Sequence, residues 1–187
     1  MKKFLTNTFN ISESNAKLFS DSFERISLNK GEKFVTYGKV NNKVGFVEKG
    51  LLKCTLIGSK RSVVDGFIFE NQFVANYYSF LRQEKSNKEI VCLKDSVLKI
   101  ITRNKLEELS EYPFIESIAR QVSEQLFIST SKKLEDIRLL NAEERYLQLV
   151  KINKNITNEI PQYEIASFLN VSPETVSRIR KKIALGY

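Results

Sequence analysis

The sequence predicts an α+β fold in which short antiparallel strands come first, a long helix follows, and an all-α domain comes last. Three observations lead to this prediction. From about residue 26 to 101, short runs rich in Val, Ile, Phe and Tyr alternate with turn-forming glycine and asparagine. From residue 114 to about 138 no glycine or proline occurs. Between residues 161 and 182, a short helix, a tight turn and a second helix are expected.

The strand-like runs cover residues 33–37, 44–48, 51–57, 63–69 and 90–93. Many short strands at this spacing are typical of an antiparallel sandwich or barrel. Helix-like stretches flank them at residues 14–23 and 103–110. Cys54 and Cys92 lie in apolar runs, and two cysteines in 187 residues are best interpreted as reduced, small hydrophobic side chains.

The composition argues against several classes of function. The chain has 187 residues, enough for one ordinary domain and a small second one, and it contains no histidine. Histidine is the commonest general base and the usual ligand of zinc and haem, so we expect no enzyme activity and no cofactor. No run approaches the roughly 20 apolar residues of a membrane span, so we expect a cytoplasmic protein that does not enter a membrane. The net charge of +8 suggests a polyanionic partner, although the excess is larger in residues 1–112 than after them.

The run from residue 114 to about 138 predicts one helix of about 25 residues, roughly 37 Å long. Apolar residues follow helical spacing at Ile115, Ile118, Val122, Leu126, Leu134 and Ile137. Such a helix could lie on the sheet, or it could pair with the same helix of a second subunit. Its length favours the two-stranded seam of a homodimer, although polar Ser129 and Lys133 weaken the second half of that seam.

The segment from residue 161 to 182 predicts a helix-turn-helix. A separate helix should precede it, because Asn141 and Glu144 form a capping box that places a domain boundary near residue 140. Asn170 can adopt the left-handed conformation that ends the first helix of the motif. Ser172 followed by Pro173 is a favourable start for the second.

The two helices of this motif have distinct faces. In the first, Ile165, Phe168 and Leu169 form an apolar face, and Ala166 leaves room for a close helix crossing. In the second, the spacing turns three residues inward: Val176, Ile179 and Ile183. At about 100° per residue, four residues then face outward: Glu174, Ser177, Arg178 and Lys181.

The outward face is polar and net positive, as the edge of a base pair and its phosphates require. Arg178 can donate two hydrogen bonds to guanine, and Glu174 can accept one from cytosine. Alternatively, these two residues form a surface ion pair worth about 0.2–0.5 kcal/mol. Lys181 and Lys182 are expected to contact phosphates. Gln162, Ser172, Thr175 and Ser177 complete the predicted set of contacts to double-stranded DNA, with residues 173–182 as the recognition helix in the major groove.

These motifs resemble the Crp/Fnr family of bacterial transcription regulators. The likeness is most specific at Glu144-Arg145-Tyr146-Leu147 and in residues 165–169 and 177–182, and residues 30–32, 38 and 46–50 resemble turns of that family's β-roll. The resemblance implies a jelly-roll-like β-roll in residues 1–112, a dimerisation helix in residues 113–140 and a helix-turn-helix domain in residues 141–187. It also implies that Glu174 and Arg178 read bases and that RNA polymerase is a further partner. Pro173 stands where the family has another base-reading arginine, so one operator base should be read differently.

The same resemblance suggests where an effector would bind. In the family's nucleotide-binding members a glutamate holds the ribose and an arginine neutralises the cyclic phosphate, and Asn76 and Ser86 stand at those positions here. The corresponding candidate pocket consists of Val74, Ala75, Asn76, Tyr77, Ser86, Asn87, Lys88, Thr130 and Ser131. A buried phosphate without its fixed cation is unfavourable. We therefore expect an unidentified small effector or none, and not cyclic AMP.

Three alternatives remain open. The chain could be a cyclic-nucleotide-responsive regulator in which Lys85 or Lys88 replaces the missing arginine. It could be a cyclic-nucleotide-binding module without a DNA function, against which the helix-turn-helix argues. It could also be a cupin-like small-molecule enzyme, which the lack of histidine disfavours. An iron–sulfur sensor would need about four thiolates, and the chain has two cysteines.

Overall fold

The computed structural model describes residues 1–153 and 155–185. The chain divides into two compact units. The first holds residues 1–62 and 66–124, and the second holds residues 63–65 and the chain from residue 125 onward.

The N-terminal part of the chain is built from short elements. In chain order these are α1 (Lys2–Phe9), α2 (Glu13–Asp21), β1 (Glu24–Leu28), β2 (Lys33–Val35), β3 (Lys43–Lys49), β4 (Leu52–Ile57), β5 (Ser62–Ile68), β6 (Phe73–Val74), α3 (Tyr77–Arg82), β7 (Lys88–Cys92), β8 (Ser96–Thr102) and α4 (Arg103–Glu108). The five predicted strand runs are confirmed as β2, β3, β4, β5 and β7, with bounds that shift by one or two residues at most ends. The strands β1, β6 and β8 and the helices α1 and α3 lie outside the predicted runs.

The strands form two four-stranded sheets, with the orders β1-β8-β3-β6 and β2-β7-β4-β5. Pairing is antiparallel in β1–β8, β3–β8, β3–β6, β2–β7 and β4–β7. The register places Val47 opposite Leu98 and Leu52 opposite Cys92, and all four side chains are buried in one core. The predicted antiparallel β-roll is therefore confirmed.

Aromatic packing holds α1 against this sheet. The ring of Phe4 lies 5.1 Å from that of Phe46 in β3, and the ring of Phe46 lies 5.3 Å from that of Phe73 in β6. Leu5 and Phe9 of the same helix are buried. A helix of eight residues is marginal on its own, so these tertiary contacts explain why α1 forms.

The turn between β3 and β4 requires glycine. Gly50 has a φ of +119°, and a Cβ atom there would lie 2.2 Å from the Oγ atom of Ser96. Both the backbone conformation and the close approach of Ser96 exclude a side chain at this position. This turn is one of those that resembled the family's β-roll.

Both cysteines lie on the strands where they were expected, Cys54 on β4 and Cys92 on β7, and neither is part of a disulfide. Burial raises the pKa of the Cys92 thiol above its ordinary value. A thiol with a raised pKa is protonated at neutral pH, so Cys92 acts as a small core residue.

The remaining elements are helical. A 3₁₀ turn (Leu109–Glu111) leads into α5 (Pro113–Leu139), which is followed by α6 (Ala142–Ile152), α7 (Ile156–Glu159), α8 (Gln162–Leu169) and α9 (Pro173–Ala184). The long helix was predicted to within one residue at each end. Residues 113–124 of α5 belong to the first unit and the rest to the second. The expected division of the chain after residues 112 and 140 stays a prediction.

The two halves of α5 differ in burial. Ile115 and Ile118, in the first half, are buried. In the second half Leu126, Leu134 and Ile137 are exposed by 39%, 50% and 50%, and Phe127 by 74%. Of the helices in the described part of the chain, none combines the length and the hydropathy that a membrane crossing needs.

Candidate nucleic-acid interface

The turn between α8 and α9 has the local structure that the sequence predicted. Asn170 ends α8 in the left-handed conformation, with φ 58° and ψ 45°. The side chain of Ser172 accepts a hydrogen bond from the backbone N–H of Thr175 at 3.3 Å, and Pro173 occupies the first turn of α9. Because each of these features depends only on neighbouring residues, the turn is set locally.

Apolar packing fixes α8 against α9. Ile165, Ala166 and Leu169 of α8 are buried, as are Val176 and Ile179 of α9. The prediction for these residues is confirmed, whereas Phe168 and Ile183 are only half-buried. The ring of Phe168 instead lies beneath the guanidinium of Arg145, with 5.8 Å between the charged carbon and the ring centroid.

The outward face of α9 is confirmed as exposed. We define this face as Glu174, Ser177, Arg178 and Lys181, all of which are exposed to solvent. Within residues 1–153 and 155–185, neither Arg178 nor Lys181 forms an ion pair. Their positive charges are therefore available to an external partner.

Glu174 does not pair with Arg178 but turns towards the start of its own helix. A hydrogen bond with the Ser172 side chain, and then one with its own backbone N–H, lower the pKa of Glu174, and the charge of Arg178 adds a smaller effect. A carboxylate is favourable at a helix N-terminus. The simple surface ion pair that sequence analysis left open is thus not what the structure forms.

The other predicted contact residues are engaged within the protein. The Nζ atom of Lys182 lies 2.9 and 2.8 Å from the two carboxylate oxygens of Glu143. The Nε2 atom of Gln162 donates to the backbone carbonyl of Pro173 at 2.6 Å. The hydroxyls of Ser172 and Thr175 lie 3.2 Å apart. The predicted set therefore divides into a free outward face and a group of internally bonded side chains.

The helix α6 supports the motif through a capping box that was predicted and through Arg145, for which no role was predicted. Asn141 and Glu144 form the predicted capping box, with each side chain accepting a hydrogen bond from the other residue's backbone N–H. Arg145 donates to the carbonyls of Phe168 and Leu169 at 3.0 and 3.3 Å, which are at the end of α8. Burial lowers the pKa of Arg145. The sequence did carry a signal for Arg145, since the segment Glu144-Arg145-Tyr146-Leu147 is one of those that resemble the Crp/Fnr family.

The candidate effector segment is closed by its own hydrogen bonds. Asn76 caps α3, and its Nδ2 atom donates to the Oγ atom of Ser86 at 2.7 Å. The Ser86 hydroxyl in turn donates to the Lys88 carbonyl at 2.7 Å and accepts from the Lys88 N–H at 3.1 Å. One donated and two accepted bonds are the full capacity of a hydroxyl. Asn76 and Ser86 are both buried.

The other candidate effector residues have mixed surroundings. Val74 is buried, Ala75 and Lys88 are half-buried, and Asn87 is exposed. The hydroxyl of Tyr77 lies 3.0 Å from that of Ser123. Thr130, exposed, and Ser131, half-buried, are on the part of α5 that belongs to the second unit. Across residues 1–153 and 155–185, no group of three or more acidic or cysteine side chains is placed to hold a metal ion.

No protein-family model matches the sequence, and no curated protein matches it. Solved structures do match the fold. The c-di-GMP responsive global regulator CLP of Xanthomonas campestris has a TM-score of 0.70 at 16% identity, covering 93% of this chain and 92% of its own. A transcriptional regulator of the crp/fnr family from Eubacterium rectale has a TM-score of 0.69 at 18% identity, covering 97% and 87%.

The catabolite activator protein of Thermus thermophilus is also similar, with a TM-score of 0.61 at 17% identity over 97% of this chain and 87% of its own. These likenesses run through both the strand domain and the helices that follow it. The chain therefore has the fold of the solved Crp/Fnr-type regulators, with an antiparallel β-roll, a long helix and a C-terminal helix-turn-helix.

Proposed function

We propose that this chain is a sequence-specific DNA-binding transcription regulator of the Crp/Fnr type, and that residues 173–182 of α9 form its recognition helix in the major groove. The observation that carries the proposal is the outward face of α9. Arg178 and Lys181 are exposed there, without ion pairs among the described residues, directly after a turn that is fixed by local capping. Free cations on a rigid helix are what a base edge and a phosphate need.

Within this face we propose distinct roles. Arg178 would donate a bidentate pair to guanine, and Glu174 would accept from the amino group of cytosine. Lys181 would contact a phosphate, and Ser177 a base or phosphate beside it. Lys182 would contribute less, because its ion pair with Glu143 has to be exchanged for the DNA contact.

We propose that α5 forms the seam of a homodimer. Leu126, Leu134 and Ile137 have helical spacing and are all at least 39% exposed, and Phe127 beside them is exposed by 74%. Exposed apolar residues at helical spacing are the usual signature of such a seam, although the polar run from Ser129 to Lys133 interrupts it here. The proposed roles are then an effector-type domain in residues 1–112, a dimerisation helix in residues 113–140 and a DNA-binding domain in residues 141–187.

We also propose that the effector is not cyclic AMP, and that the protein works either with an unidentified small molecule or without one. The buried Asn76–Ser86 pair supports this view, because the two side chains at the expected nucleotide contacts bind each other. Neither is a cation, so neither can neutralise a phosphate. In the alternative, Lys88 replaces the family's arginine. The ammonium group of Lys88 would then have to reach the position of Ser86, whose hydroxyl already bonds the backbone carbonyl and N–H of Lys88.

The Arg178→Ala variant tests the DNA-binding function. Operator sequences would first be selected from a random pool with the wild-type protein, and the best duplex would then be titrated. We expect Arg178→Ala to lose about 1–3 kcal/mol of specific binding, roughly 5- to 150-fold, because one bidentate contact is removed. Arg82→Ala is the matched control, since Arg82 is an exposed arginine on α3.

Both proteins should sediment at twice the 21.6 kDa of one chain. Two outcomes would contradict the proposal. Either the wild-type protein enriches no sequence from the pool, or Arg178→Ala binds the selected operator as tightly as Arg82→Ala does.

A further inference from the structure

Gln162, the first residue of α8, contacts α9 through both polar atoms of its amide. Its Nε2 atom donates to the Pro173 carbonyl at 2.6 Å, and its Oε1 atom accepts from the Nη1 atom of Arg180 at 3.5 Å. Pro173 begins α9, and Arg180 is seven residues further on, which is two helical turns along the same side. A single amide therefore holds α9 at two points.

Arg180 extends this link to a third helix. Its Nε atom donates to the hydroxyl of Tyr146 at 3.2 Å, and Tyr146 is a buried residue of α6. Arg180 is half-buried, and its remaining Nη2 atom is buried without a hydrogen-bond partner in the described part of the chain. Arg178, two residues earlier, points to the opposite side, because two residues turn a helix by about 200°.

A guanidinium with one buried, unbonded nitrogen is not the side chain that stability alone would favour at this position. An apolar side chain of similar length would pack there without leaving a polar atom unpaired. Apolar contacts between α8 and α9 are non-directional, whereas hydrogen bonds fix angles and distances. The polar link is therefore suited to setting the orientation of α9 rather than to strengthening the fold.

We infer that Gln162 and Arg180 are positioning residues, which hold the recognition helix at a defined angle to α6 and α8 and do not themselves contact DNA. This inference rests on the proposed function. It also changes the role expected of Gln162, which sequence analysis placed among the DNA contacts. Both polar atoms of its amide already form hydrogen bonds within the protein, which ties the amide to α9.

The variants Arg180→Met and Gln162→Met test the inference. Methionine keeps an unbranched apolar stem while removing every hydrogen bond of the link. Lys151→Met is the matched control, because it removes a cation from an exposed position of α6 that belongs neither to the link nor to the proposed DNA contacts. For each variant we would measure thermal unfolding, affinity for the selected operator, affinity for a random duplex, and the dependence of operator binding on salt concentration.

We expect both link variants to lose about five-fold or more in operator affinity, because a misoriented Arg178 makes a poorer bidentate contact. Random-duplex affinity and the salt slope should stay as in the wild type, since no phosphate contact is lost. The double variant should lose no more than the larger single loss, because both changes break one link. Arg180→Met should unfold at the wild-type temperature or above it.

Several results would overturn the inference. If Arg180→Met and Gln162→Met keep wild-type operator affinity, the link does not position the helix. If Arg180→Met lowers the salt slope by about 0.9, Arg180 touches a phosphate instead. If Arg180→Met fails to fold, Arg180 is a structural residue, and Gln162→Met alone then decides whether Gln162 positions the helix. A wild-type protein without any preferred operator would count against the proposed function itself, which separates the two failures.

Discussion

Two short segments of this protein are built in the same way but treat their polar side chains differently. In the segment from Asn76 to Lys88, Asn76 caps α3, and Arg103 donates to the carbonyls of Phe80 and Leu81 at its end. In the helix-turn-helix, Ser172 caps α9, and Arg145 donates to the last carbonyls of α8. Each segment is thus a capped helix held by an arginine from elsewhere in its own unit.

The difference is in the polar groups that remain. In the first segment, the polar side chains of Asn76 and Ser86 are buried and bond each other. Those on the outward face of α9 are exposed, and its two cations form no ion pair within residues 1–153 and 155–185. A polar side chain already bonded inside the protein stabilises the fold, whereas one that faces water without a partner can bind a ligand. The chemical type of the residue does not distinguish the two cases.

Breaking the buried pair should give the largest effect on stability. Asn76→Ala removes one hydrogen bond to the buried Ser86 hydroxyl and the cap of α3, so we expect the free energy of unfolding to fall by about 1–3 kcal/mol. Operator affinity of the folded variant should not change. Urea denaturation measures the free energy of unfolding. Asn87→Ala is the control, because Asn87 is exposed and should shift the value by less than about 0.5 kcal/mol. Equal stability of the two variants would show that the pair is not structural.

Removing single cations from α9 should give a smaller, electrostatic effect. Lys181→Ala should reduce the slope of log affinity against log salt by about 0.9, since one phosphate contact is lost. Lys182→Ala should change this slope less, because Lys182 pairs with Glu143 in the free protein. Titrations at several salt concentrations compare the two variants directly. A larger change for Lys182 than for Lys181 would contradict the proposed difference between free and paired lysines.

Cyclic AMP should not change the thermal stability of the protein. A ligand at about 100 times its dissociation constant stabilises a protein by roughly 2.7 kcal/mol, which a thermal shift detects easily. We expect no shift with cyclic AMP, since the side chains at the expected contacts are bonded to each other. The selected operator duplex is the positive control in the same assay. A clear stabilisation by cyclic AMP would refute the proposal that the segment is closed to it.

Much of the helix-turn-helix could be predicted from the sequence because its signals are local. Asn170, Ser172 and Pro173 act within four residues of their own position, and the outward direction of Arg178 follows from helical spacing alone. The long helix was equally clear, since a run without glycine or proline is continuous along the chain. Helical spacing could not reveal the internal hydrogen bonds of Gln162, because its partners are eleven and eighteen residues away.

Prediction from the sequence was limited in the same way for the strands of residues 24–102, where distant contacts also matter. The central runs of Val, Ile and Phe were recognisable, but β6 has two residues and α3 has six, and both are held by contacts to distant segments. The hydrogen bonds that close the candidate effector segment join Asn76 to Ser86 across the whole of α3. Such pairings depend on where the chain returns in space, which a periodicity in the sequence does not record.

For this protein the sequence alone determined the element types, the turn chemistry of the helix-turn-helix and the direction in which the residues of α9 point. These properties follow from backbone conformation and helical spacing over a few residues. The tertiary structure alone decided which of the polar residues were free and which were already bonded. That outcome depends on hydrogen-bond partners that the fold brings together from distant positions, as for Arg180 with Tyr146 and Gln162.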